Sequence, residues 1–214
     1  MRLFRKISPA LLIVIIFSSI ISADTSYKEF VVDETIGEKI IHVMPVAKIK
    51  NIRKKVSDEV WLQSHLDEYK LIQTAYKELG NVGGEKYWSW YGFDGYVSWC
   101  CCFVSWCADQ CGLIEKGIIP KFSSVSSGLS YFMNNNQWIW GNSTPKPGMI
   151  IFFDYIDSES GYSDGIPDHV GIVKNVKDGY IQCIEGNYYN VCREANYVIG
   201  DCNIYGYGTP LYSE

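Results

Sequence analysis

The sequence predicts an α+β domain, and three observations carry that prediction. Helical spacing marks the chain after residue 57: Leu62, Leu66, Tyr69, Ile72, Tyr76 and Leu79 recur three and four apart. Beyond Pro145-Lys146-Pro147-Gly148 the texture changes to short β-branched or aromatic runs divided by Gly, Asn, Asp and Pro. Helices first and strands second, without alternation, is the α+β order. Composition agrees. With 214 residues, 47% hydrophobic and 20% charged, the chain can bury a sizeable core, which excludes wholesale disorder. A formal net charge of −5 argues against a phosphate-binding surface, so nucleic acid is not an expected partner. The 16 Tyr and 7 Trp suit a groove for a polar, extended ligand, and equally an aromatic-rich core.

The elements follow in chain order. Arg2, Arg5 and Lys6 precede an apolar run from Pro9 to Ile21, then Ser22-Ala23-Asp24, which reads as a secretory signal over residues 1–23. The run is short for a span of about 20 residues, so a membrane is a partner only through an uncleaved N-terminal anchor. The expected location is secreted or associated with the cell envelope. Residues 24–56 show no clear period and read as a linker, with Arg53-Lys54-Lys55 a solvated basic cluster. Residues 57–214 are the expected catalytic domain. Ser57-Asp58-Glu59 opens the first helix and Gly80-Asn81 closes it. Residues 81–97, rich in Gly and aromatics, read as an ordered loop. A second helix runs from an N-cap at Ser98 to about Cys111, and a third from Ser124 to Asn134. Met149–Phe153, Val170–Val173, Tyr180–Ile184 and Asn203–Tyr207 are the expected antiparallel strands.

Three histidines limit the search for chemistry. His42 lies in the linker, and His65 sits among polar residues of the first helix. His169 opens an apolar strand and is the candidate general base. Its partner is sought among Cys100, Cys101, Cys102, Cys107, Cys111, Cys183, Cys192 and Cys202. Even parity suits disulfides in an exported chain, but three consecutive cysteines and five in one helix do not make a disulfide framework. Cys183–Cys192 across a hairpin stays open as a pair. Zinc is not expected, because no pair of C-x₂-C units supplies four ligands. Cys100, as the second residue of a helix, meets unpaired N–H groups and the positive dipole end, which favour a thiolate. Such a thiolate with an imidazole attacks a carbonyl, and the same helix end offers oxyanion donors. Glu185 ends the apolar face shared by Ile181 and Cys183, so its carboxylate calls for a partner. Asp168 should point away from His169 and ranks lower, and Asn187 is a fourth polar group. The acidic stretch Asp154, Asp157, Glu159, Asp164 lacks regular calcium-loop spacing and reads as a solvated insertion.

Trp99-Cys100-Cys101-Cys102-Phe103-Val104-Ser105-Trp106-Cys107-Ala108 resembles the catalytic helix of CHAP domains, the cysteine- and histidine-dependent amidohydrolases/peptidases. Asp168-His169-Val170-Gly171-Ile172-Val173 resembles their histidine strand, and Ile184-Glu185-Gly186-Asn187 their third catalytic segment. The three occur in the family's order, within a resemblance covering roughly residues 67–210. The resemblance implies a papain-like fold with N-terminal helices packed on an antiparallel sheet. It also implies hydrolysis of amide bonds in bacterial peptidoglycan, without a cofactor. It carries the nucleophile to Cys100, the base to His169, the orienting carboxylate to Glu185 and an auxiliary role to Asn187. Cys101 and Cys102 depart from the family's usual residues, and residues 155–165 look longer than its usual turn. Two other readings are a non-catalytic envelope-binding module on the same fold and a secreted cysteine protease.

Overall fold

The computed structural model describes the backbone of residues 27–31 and 41–45, and residues 65–155 and 163–212 in full. The chain divides into two units, 1–61 and 62–214. The expected signal, the Arg53-Lys54-Lys55 cluster, the Ser57 helix start and most of the acidic insertion lie outside the described residues. In the first unit, β1 (Tyr27–Val31) pairs antiparallel with β2 (Ile41–Pro45), with Tyr27 opposite Pro45 and Val31 opposite Ile41. Two five-residue strands are too short to impose a visible period on a segment that reads as a linker.

The second unit opens with α1 (Leu66–Tyr76), which buries Leu71, Ile72 and Ala75. The buried face is rotated from the expected stripe: Tyr69 and Tyr76 are about half exposed, at 45% and 46%. Phenols keep their hydroxyls wet while a helix packs more closely through Leu71 and Ala75. The Tyr76 ring carries the Lys174 ammonium 4.7 Å from its centroid. The helix is capped at Lys77 rather than at Gly80, whose N–H goes instead to the Cys192 carbonyl at 2.9 Å.

The expected loop contains a helix, α2 (Glu85–Tyr91). Gly84, at φ 61°, is its N-cap, and a Cβ there would stand 2.2 Å from the Trp99 ring. Gly83-Gly84 is therefore a helix entry under an indole and not loop punctuation. Tyr87 is fully buried, stacked on Trp99 and edge-on to Phe103. In α3 (Cys100–Gln110) the N-cap is Trp99, one residue later than expected, because the Trp99 carbonyl accepts the first helical bond, from Phe103 N–H at 2.8 Å. Cys100 is thus the first helical residue, not the second. In α4 (Val125–Asn134) the Ser124 hydroxyl caps Ser127 N–H at 3.2 Å, as the sequence suggests.

Six strands form one antiparallel sheet: β3 (Trp138–Trp140), β4 (Ile150–Phe153), β5 (His169–Lys177), β6 (Tyr180–Tyr188), β7 (Val191–Val198) and β8 (Ile204–Gly208). Their order is β3-β8-β4-β5-β6-β7. The four expected strands are present. Two more, β3 and β7, occupy the sheet's edges: β3 is only three residues long, and exposure admits polar residues to β7. Ile150, Phe152, Val170, Ile172 and Ile184 pack with the helices, while Ile151, Phe153, Val173, Ile181 and Cys183 form a second cluster with Tyr207. Alternation along each strand produces the two clusters. Gly186 lets α3 approach the sheet: a Cβ there would stand 2.6 Å from Phe103 Cβ and 2.8 Å from the Trp99 ring.

All eight cysteines are free. The Cys183–Cys192 pair does not form, because register places Ala195 opposite Cys183 and the two thiols enter different clusters.

Candidate active site

Three elements converge on the site. The start of α3 supplies Cys100, the first residue of β5 supplies His169, and β6 supplies Glu185. Gly171 is the register partner of Glu185, so Glu185 reaches His169 diagonally across two strands. A Cβ at Gly171 would stand 3.0 Å from Glu185 Cγ, so glycine leaves the carboxylate its path. His169 Nε2 lies 3.0 Å from Glu185 Oε2. The Cys100 thiol is electrostatically coupled to the same imidazole, each shifting the other's titration. With Nε2 on the carboxylate, Nδ1 is the ring nitrogen left for sulfur. Cys100 is 4% exposed, His169 8% and Glu185 fully buried, so the row is largely closed to water.

Electrostatics follow from these contacts. The Cys100 thiol is held well below its usual range, first by the Cys101 thiol, whose Sγ lies 4.0 Å away. Burial opposes this shift, while His169 and the Cys101 backbone N–H add to it. Burial alone lowers a histidine, yet the bonds to Cys100 and Glu185 outweigh it and raise His169 to about 9. Burial likewise pushes the Glu185 carboxyl up, but His169, Arg193 and Cys183 pull it below the ordinary carboxylate range. All three directions favour a thiolate beside an imidazolium, backed by a carboxylate.

Glu185 has partners that the sequence reading missed. Tyr197 Oη donates to Oε1 at 2.9 Å and Cys183 Sγ to Oε1 at 3.2 Å. Tyr155 Oη lies 3.4 Å from Oε2 and Arg193 Nη2 3.7 Å from it. Arg193 also donates to Tyr197 Oη at 3.2 Å and stacks on Tyr188. Arg193, Ala195 and Tyr197 alternate along β7, so its period-two pattern was the available signal.

Asn187 is placed differently from the other three. It sits at φ 64°, and its side-chain oxygen accepts a hydrogen bond from Tyr96 Oη at 3.4 Å. Asp168 is exposed, as expected from its place beside His169. His42 lies in β2 and His65 is the N-cap of α1. Cys101 does not turn to another face as its helical position suggests; its thiol meets Cys100. In the acidic stretch, Asp154 accepts a hydrogen bond from Ser163 and Asp164 from Ile166 N–H, while Asp157 and Glu159 lie outside the described residues.

Residues 90–187 match the family model described as the CHAP domain, an interval that holds Cys100, His169 and Glu185 and ends at Asn187. This chain carries a CHAP domain. Two solved structures are similar to it: Ly7917, and Ly7917 with the hydrolyzing product of MDP. Each shares 18% identity at a TM-score of 0.43 and covers 67% of this chain. The chain spans 62% of the length of those structures. No curated protein matches the chain.

Proposed function

We propose that the CHAP domain of this chain is an exported, thiol-dependent peptidoglycan hydrolase that cleaves an amide bond, as an endopeptidase or an N-acetylmuramoyl-L-alanine amidase. The row Cys100–His169–Glu185, its imidazole hydrogen-bonded to the carboxylate and electrostatically coupled to the thiol, lies inside the residues matched by the CHAP model and carries this reading. The Cys100 thiolate attacks the scissile carbonyl carbon. N–H groups at the start of α3 face the developing oxyanion. The His169 imidazolium gives its proton to the leaving amine, which departs and leaves a thioester on Cys100. Water, deprotonated by the now neutral imidazole, attacks the thioester and releases the carboxylate product and the thiolate. Glu185 does not touch the substrate. It holds the imidazole's orientation and favours its charged form, as the third member of a triad does.

The test uses residues 24–214 and the Cys100→Ala variant on Gram-positive peptidoglycan, with mass spectrometry of soluble fragments. New amine and carboxyl ends from the unaltered protein alone are expected, and they name the bond. No release from a folded, reduced protein overturns the hydrolase and favours the binding module. Cleavage of casein without release from wall favours a protease. Export is tested by the mature N-terminus recovered from the medium, expected at Asp24.

A further inference from the structure

The β6–β7 connection is a two-residue turn. Tyr188 pairs with Val191, and the residues between them, Tyr189 and Asn190, have φ of 47° and 65°. Two positive φ values define the type I′ hairpin turn, whose central positions favour Asn, Asp and Gly. Asn190 satisfies that rule. Tyr189 breaks it, since the left-handed region is unfavourable for a bulky side chain. Burial does not compensate, because Tyr189 is 88% exposed. A residue that breaks a local rule without a packing gain points to a role outside stability.

The turn's position is fixed relative to the nucleophile. Asn190 Oδ1 accepts Trp99 Nε1–H at 3.1 Å, the Asn190 carbonyl accepts Gly83 N–H at 3.0 Å, and Val82 bridges Val191. Trp99 immediately precedes Cys100. The Tyr189 ring stands edge-on to Tyr188 at 4.9 Å, and the Tyr188 ring stands edge-on to His169 at 6.1 Å. Tyr96, 62% exposed and four residues before Cys100, reaches Asn187 on the same strand end. Two exposed phenol rings thus stand at the strand end that carries the Asn187 amide, Tyr96 bonded to it and Tyr189 linked through Tyr188 to the imidazole. A pyranose presents the matching chemistry, an apolar C–H face ringed by hydroxyls that an amide can bond.

We propose that Tyr189 is a specificity-determining residue that stacks on a sugar ring of the glycan strand, with Asn187 and Tyr96 completing the subsite. This assignment rests on the peptidoglycan reading of the catalytic row. Asn187, on this view, binds substrate at the rim instead of assisting the imidazole.

The test titrates the Cys100→Ala protein with a peptide-free oligosaccharide of alternating N-acetylglucosamine and N-acetylmuramic acid, followed by chemical-shift changes. Binding is expected, weakened roughly three- to tenfold by an added Tyr189→Asn and retained by Tyr189→Phe. Asparagine tolerates the left-handed turn, so the melting temperature of Tyr189→Asn should hold or rise. Equal affinity in Tyr189→Asn, or no glycan binding by the parent, overturns the subsite. So does a lowered melting temperature in Tyr189→Asn, which would make the ring structural. Fragment release by the protein with Cys100 intact is scored separately. Release with equal glycan affinity rejects the subsite alone, and no release rejects the hydrolase reading whatever the titration gives.

Discussion

Cys100 and Cys107 stand on the same helix, two turns apart, and both are buried. Their surroundings drive them in opposite directions. At the start of α3, the Cys101 thiol, the His169 imidazole and free backbone N–H groups hold the Cys100 thiol low. In the middle of the helix, burial first and then nearby Cys192, Cys111 and Glu78 push the Cys107 thiol well above its usual value. Cys102 rises to about 11 and Cys192 to about 12, with burial the largest cause in each. The difference teaches that eight cysteines in one small domain are not eight candidates. Position against a helix terminus and a base selects one.

The largest expected effect is on that one. Cys100→Ala should lower peptidoglycan release by on the order of 10⁴-fold or more, measured as fragments released per unit time. Cys107→Ala should leave the rate within about twofold, because nothing in its surroundings activates it. Equal losses in the two variants would erase the contrast.

Glu185→Gln comes next, with a loss on the order of 10²-fold or more. The sign on pH is fixed by His169. Its pKa is raised to about 9, so the imidazolium persists up to that region and the alkaline limb of kcat/KM should lie near pH 9. Removing the carboxylate removes one cause of the rise, so the limb should move down toward the free-histidine value. Linkage to folding has the same sign for the histidine: its contribution is present below the ordinary value and is lost as pH rises through about 9. Glu185, held below the ordinary range, contributes above that range, and its contribution is lost as pH falls through the depressed value.

A third outcome is read by alkylation. Near neutral pH one cysteine should react at least about tenfold faster than any other buried cysteine, and peptide mapping should find the label on Cys100. Cys101→Ala should slow that reaction at mildly acidic pH by removing the thiol beside the sulfur, while Cys101→Ser, which keeps a donor, should slow it less.

The smallest effect is structural. Cys107→Ala deletes one buried sulfur and should cost about 1 kcal/mol, visible as a small drop in the melting temperature.

Much of the site was legible because its chemistry is scarce in the chain. Three histidines, and one cysteine run followed by an apolar helix face, leave few combinations, and their order resembles the CHAP pattern. The supporting shell was less legible. Tyr197 and Arg193 lie on β7, an edge strand whose polar sequence concealed its period, and Tyr155 lies just past β4. The helix α2 was hidden because Gly83-Gly84 suggests a turn until the Trp99 ring above it is known. The stripe on α1 was misplaced because tyrosines count as apolar in a periodic scan, whereas Tyr69 and Tyr76 divide themselves between core and water. Asn187 received its auxiliary role from the resemblance to CHAP domains, and its hydrogen bond to Tyr96 was not legible in the sequence.

Gly186 gives the site a mechanical tolerance. The sulfur rides on a helix, and its imidazole and carboxylate partners ride on a sheet, so the gap between those two bodies is also the reach of the proton-transfer row. One of its tightest points is Gly186, where the β6 backbone lies against Phe103 and Trp99 with no room for a methyl group. Any other residue there would act as a shim, widening the seam just beside Glu185 and ahead of Cys100. A misfit of about 1 Å is enough to cost a reaction two orders of magnitude. If the row reacts as proposed, an atom absent from Gly186 would weigh on the rate alongside the atoms that react.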